Sequence, residues 1–183
     1  MVSAMSSPEL DQRRLARVMK IARLDAWSLL ALAAPAGGFA LVSRDAPASL
    51  TAVGVVLCGL CELHGHACLR RRQTAGMRWL IAAQLSCLFF LIVYAGFVAR
   101  AATAEHLLSL LPSFTKEQLV FIFPDPAELQ WWLVRLQQLS ALLLAGGAIA
   151  YQGGMTWFYA RSRAAICRNF SAPPVLVDDS RSR

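Results

Sequence analysis

Glu62 has the strongest claim to chemistry in this chain, because it is a carboxylate inside the long apolar stretch that begins near Ala48. A carboxylate facing lipid at that depth is costly, so such a residue turns toward a protein interior. Its surroundings read Cys58-Gly59-Leu60-Cys61-Glu62-Leu63-His64-Gly65-His66-Ala67-Cys68. On a helix Cys58, Glu62 and His66 recur every four residues and share a face, while His64 points elsewhere. Cys, Glu and His all ligate transition metals. The spacing matches no established metal motif, however, and a single helix does not make a site. Cys87, in the next apolar stretch, is the one thiol placed to complete it. Cys58, Glu62, His66 and Cys87 are therefore weak metal candidates, and no cofactor is expected. The plainer reading sets the histidines at headgroup level beside Arg70, Arg71 and Arg72.

Two amides fall at the depth of Glu62. Gln84 lies about six residues into its apolar stretch, and Gln152 about nine residues before Arg161, which at about 1.5 Å per residue puts all three at one level. The expectation is a buried polar layer of Glu62, Gln84 and Gln152, with Tyr151 or Ser28 beside it. Such a layer can relay a proton, hold an ion or bind a ligand. It can also simply fasten helices, as buried amides commonly do, and that is the reading preferred here. Gly146, Ala150 and Gly154 form a small-residue stripe suited to close helix packing within or between chains. Ala82 with Ser86 and Ala83 with Cys87 form shorter ones. Arg135 is read as structural, reaching the surface or pairing with Glu128.

The elements that must position these residues follow from composition. Of 183 residues, 57% are hydrophobic and 16% charged, against about 25% charged in a typical soluble domain. The charges lie between four apolar stretches, each near the roughly 20 residues that a bilayer crossing requires. The spans are expected at about 24–42, 48–69, 79–99 and 132–158, with an outer loop over 100–130. All five tryptophans, Trp27, Trp79, Trp131, Trp132 and Trp157, fall near proposed boundaries, where an indole meets headgroups best.

Of the 18 Lys and Arg residues, 14 lie in the N-terminal lead-in, the link between spans two and three, and the C-terminal tail. A four-span topology puts all of these on one side, which should be the cytosol. The net charge of +7 is thus a topology signal. Basic and aromatic residues do not alternate and no zinc-finger spacing occurs, so nucleic acid is not an expected partner. Residues 1–23 form a basic lead-in, 24–159 the membrane domain and 160–183 a basic tail expected to lack fixed structure at its end. Ala46-Pro47-Ala48 loosely resembles a leader cleavage site, but the long preceding tail and apolar stretch, with Arg44 and Asp45 just before it, favour a retained span. The five cysteines all fall in the spans or on the basic side, which argues against disulfides; Cys58 and Cys61 read as small apolar fillers.

Local signals mark several helix ends. Asp125-Pro126-Ala127-Glu128 combines an acidic N-cap with proline at the first helical position, so the last helix is expected to start at Pro126 and run past Tyr159. Ser7-Pro8-Glu9 marks a similar start. Thr103 to Leu111 reads as a short helix, and Thr115-Lys116-Glu117-Gln118 as a capping box ahead of Leu119 to Phe123. Pro35, Gly37 and Gly38 are expected to kink or loosen span one.

Glu62-Leu63-His64-Gly65, then Gly76-Met77-Arg78-Trp79-Leu80 with Gln84, then Tyr151-Gln152-Gly153-Gly154, resemble an uncharacterised family of small four-span bacterial membrane proteins. The resemblance covers the three later spans. It implies a bacterial inner-membrane location and no activity. The expected fold is an all-α four-helix transmembrane bundle with cytosolic termini and short interfacial helices in the outer loop. The expected function is a structural or accessory membrane component, with the lipid bilayer, a second copy or another membrane protein as partner. A small oligomeric transporter or channel built around Glu62 is the alternative, and a metal or haem redox protein the third. No catalytic constellation is recognised.

Overall fold

The structure is a computed structural model that describes residues 8–101, 103, 108, 112–123 and 125–171. Every regular element among them is a helix: α1 (Pro8–Val42), α2 (Ala46–Arg70), α3 (Ala75–Arg100), α4 (Ser113–Ile122) and α5 (Pro126–Ser171). Four of these, α1, α2, α3 and α5, are long and apolar enough to cross a membrane.

The helix ends follow local chemistry. Asp45 precedes α2, and its Oδ1 accepts from the Ala48 amide at 3.0 Å, with proline in the first turn. Asp125 does the same for α5, accepting from the Ala127 amide at 2.9 Å ahead of Pro126. Both interactions satisfy backbone donors that a helix start leaves free. Arg72 closes the α2–α3 turn at φ 55°, in the left-handed region.

Several elements differ from expectation. The lead-in and span one are a single helix of 35 residues that runs unbroken through Pro35. The last helix agrees with expectation: it starts at Pro126 and runs past Tyr159, with 46 described residues through Ser171. Helix α4 starts at Ser113 behind Pro112, two residues before Thr115, and has no side-chain cap. The helix expected over Thr103 to Leu111 falls, apart from residues 103 and 108, outside the described residues.

The long helices pack in a ring, α1 on α2, α2 on α3 and α3 on α5, with a lighter contact between α5 and α1. Two apolar layers fill the ring. Val18, Ala22, Leu69, Met77, Leu80, Tyr159 and Ile166 form one, joining the start of α1 and α3 to the end of α2 and α5. Ala33, Val55, Cys58 and Cys87 form the other, from α1, α2 and α3 toward their opposite ends, with Leu29, Phe90 and Leu91 against them. The first layer places both described ends of the chain and the α2–α3 turn at one end of the ring.

Close approach at that end depends on glycine. A Cβ on Gly76 would lie 2.6 Å from the Gly65 carbonyl oxygen and 2.8 Å from Leu69 Cγ. The outer surface is apolar: Leu32, Phe39, Phe89, Leu142 and Leu143 are all more than 60% exposed. All five tryptophans are exposed as well. Such a surface is stable in hydrocarbon and not in water.

Candidate functional site

Between the two apolar layers lies a polar one. Glu62 and Gln84 are fully buried, Gln152 is 2% exposed and Asp25 is 3% exposed. Each long helix contributes to this layer. Asp25 comes from α1, one turn beyond Ala22. Glu62 comes from α2, one turn beyond Cys58, and Gln84 from α3, one turn beyond Leu80. Gln152 and Tyr151 come from α5.

Gln84 ties the two acids together. Its Nε2 donates to Asp25 Oδ2 at 2.6 Å and also to Glu62 Oε1. Tyr151 approaches from α5 and donates its hydroxyl to Asp25 Oδ1 at 2.8 Å. Asp25 thereby joins α1 to α3 and to α5. Among the described residues, no Lys, Arg or His donates to either carboxylate.

Gln152 stands apart from this pair. Its Nε2 donates to Cys87 Sγ at 3.4 Å, one turn along α3 from Gln84. Ser28 turns back to the Asp25 carbonyl of its own helix at 2.7 Å. The expected layer is thus divided between Gln84 on the acids and Gln152 on a thiol. Four buried oxygens, Glu62 Oε2, Gln84 Oε1, Gln152 Oε1 and Tyr159 Oη, have no hydrogen-bond partner among the described residues. Buried polar atoms are rarely left so, which marks the layer as a place for a further partner.

Asp25 is the residue that sequence reasoning missed. It lies two positions after Arg23, at the edge of the apolar run, where it passes for a boundary charge. A signal was present: Val18, Ala22, Ala26, Ala33 and Ala40 form the buried face of α1, and Asp25 lies on that face.

The weak metal set does not assemble. Cys58 and Cys87 share the apolar layer beside the acids, but His66 lines a groove with Arg23 and Arg70. No group of three or more His, Cys, Asp and Glu side chains among the described residues is arranged to hold a metal ion. His64 lies with its ring 5.2 Å from that of Trp79, edge on, and its Nε2 is 3.5 Å from Cys68 Sγ. Arg135 meets Gln138 at 3.3 Å and stacks over Trp131, rather than pairing with Glu128.

The small-residue stripe of α5 packs against nothing among the described residues. Gly146, Ala150 and Gly154 are exposed, and a Cβ on Gly146 or Gly154 would meet no atom within 4 Å. Glycines that bring helices of this chain together lie instead on α1, α2 and α3, at Gly37, Gly54, Gly59, Gly65 and Gly76.

The chemistry open to the site follows from its donors. Carboxylate, amide and phenol oxygens suit a proton or a hard cation rather than a soft metal. The apolar layers on either side keep the acids from water. No protein-family model, curated protein or solved structure matches this chain.

Proposed function

We propose that this chain is a multi-pass protein of the bacterial inner membrane, with both basic ends in the cytosol, that passes protons or a small monovalent cation by way of Asp25 and Glu62. The observation that carries this reading is two buried carboxylates on different helices sharing one amide donor, with no basic side chain donating to either among the described residues. Two like charges in a low-dielectric interior are held there only with a compensating positive charge. A fastener needs amides and hydroxyls alone. An acid pair of this kind binds and releases its compensating charge, which is the elementary step of transport.

Purified protein in lipid vesicles tests this. With a pH-sensitive dye inside and a potassium diffusion potential, the vesicles should acidify faster than empty ones. A sodium gradient at equal pH distinguishes sodium from protons. Asp25→Asn and Glu62→Gln should each bring flux to the level of empty vesicles. Wild-type flux in both variants, or no flux in any protein, refutes the proposal.

The structural or accessory role has one observation in its favour, the unpaired small-residue face of α5. It calls for a chemical cross-link between α5 and a neighbouring protein that Gly146→Leu abolishes. A chain that stays monomeric and uncross-linked in its own membrane counts against it.

A further inference from the structure

A groove opens between α1 and α2 on the side of Asp25 and Glu62 that carries the chain ends. From α1 it is lined by Lys20, Arg23, Leu24 and Trp27, and from α2 by His66 and Arg70, with a volume of about 790 Å³. Its upper edge carries three fixed positive charges from two helices, and no carboxylate among the described residues lines it. Arg23 and Arg70 both lie within electrostatic reach of the His66 ring. Like charges drawn together without a counter-charge make an anion site. Its lower part is apolar: Leu24 and Trp27 are 62% and 57% exposed, beginning the lipid-facing stretch of α1.

We infer that this groove holds one anionic phospholipid, with its phosphate between Arg23, Arg70 and Lys20 and an acyl chain running down past Leu24 and Trp27. Arginine suits the phosphate because its planar donors meet two oxygens at once. The level of the charges selects a lipid over a soluble anion, since they stand where the apolar span begins, and the groove continues into hydrocarbon-facing surface. Basic pockets between helices at a membrane rim recognise headgroups by this arrangement. The site does not depend on transport through the acid pair.

Native mass spectrometry of the full chain in a neutral detergent tests the inference, with phosphatidylglycerol, phosphatidylcholine and inorganic phosphate as probes. One phosphatidylglycerol should stay bound, at about tenfold or more the affinity of phosphatidylcholine, on the basis of the charges it meets. Millimolar inorganic phosphate should not displace it. Arg23→Gln combined with Arg70→Gln should remove that preference. Arg71→Gln combined with Arg72→Gln, which deletes the same charge from the neighbouring turn, should keep it. In vesicles, phosphatidylglycerol brominated on its acyl chain should quench wild-type fluorescence more than it quenches Trp27→Phe. Equal binding of the two lipids, equal loss in both double variants, displacement by phosphate, or quenching unchanged in Trp27→Phe overturns the assignment.

Discussion

Tyr151 occupies two environments at once. The residue is 53% exposed on the flank of α5, yet its hydroxyl reaches the buried Asp25. Its ring therefore lies between the surrounding solvent and one acid of the pair. Tyr151→Phe keeps the ring and removes the donor, leaving Asp25 with Gln84 and the neighbouring Glu62. The expected loss is about 1–3 kcal/mol of stability, as for a hydrogen bond to a charged group. Thermal unfolding in detergent measures it, and an unchanged midpoint would mean that the bond contributes nothing. Only part of this arrangement was legible in the sequence. Glu62 and Gln84 announced themselves as polar residues deep in apolar runs. Asp25 did not, because its burial depends on how α1 is rotated against α3 and α5, and one sequence sets no rotation between helices. Gln152 was legible as buried but not in its partner, since a difference of one turn along α3 separates Gln84 from Cys87.

Among elements, glycine has opposite meanings on α3 and α5. Gly76 lets α3 meet α2 at the level of Gly65, where any added carbon would strike backbone. Gly76→Ala should push the two helices apart and cost about 1–3 kcal/mol, the usual range for overpacking. At Gly147 an added methyl group would meet nothing within 4 Å. Gly147→Ala should cost nothing and gain up to about 1 kcal/mol from helix propensity. Unfolding midpoints of the two variants should move in opposite directions; a shared direction would show that the contact at Gly76 is not limiting. Helix existence was readable from apolar length, and the start of α5 from Asp125 followed by proline, whereas the cap of α2 at Asp45 was not foreseen. The reach of α5 from Pro126 past Tyr159 was readable too; the continuity of α1 was not, because its polar lead-in runs into the apolar stretch without a glycine or proline between them. Pairing of the α5 stripe was equally hidden, since small residues permit an approach without naming the partner.

Along its spans the molecule presents apolar side chains outward and Asp25 and Glu62 inward, the reverse of a water-soluble fold. It should require detergent or lipid to remain dispersed, and a reporter joined after Arg183 should be active in the cytosol and silent in the periplasm. The opposite result would invert the topology drawn from the arginines while leaving the helix packing intact. Architecture was the most legible level of all, because it rests on composition summed over long stretches, whereas a site rests on single contacts between residues far apart in the chain.

That separation has a consequence for biogenesis. Asp25 and its Tyr151 partner lie 126 positions apart, and the shared amide of Gln84 falls between them. A chain emerging from the ribosome delivers both acids in its first hairpin, the amide with the third helix, and the phenol only with the last. Until synthesis is nearly finished, the early hairpin carries an incomplete polar centre. A product halted before the final helix would hold that centre unlatched, giving proteases of the membrane a physical mark by which to tell an unfinished chain from a finished one.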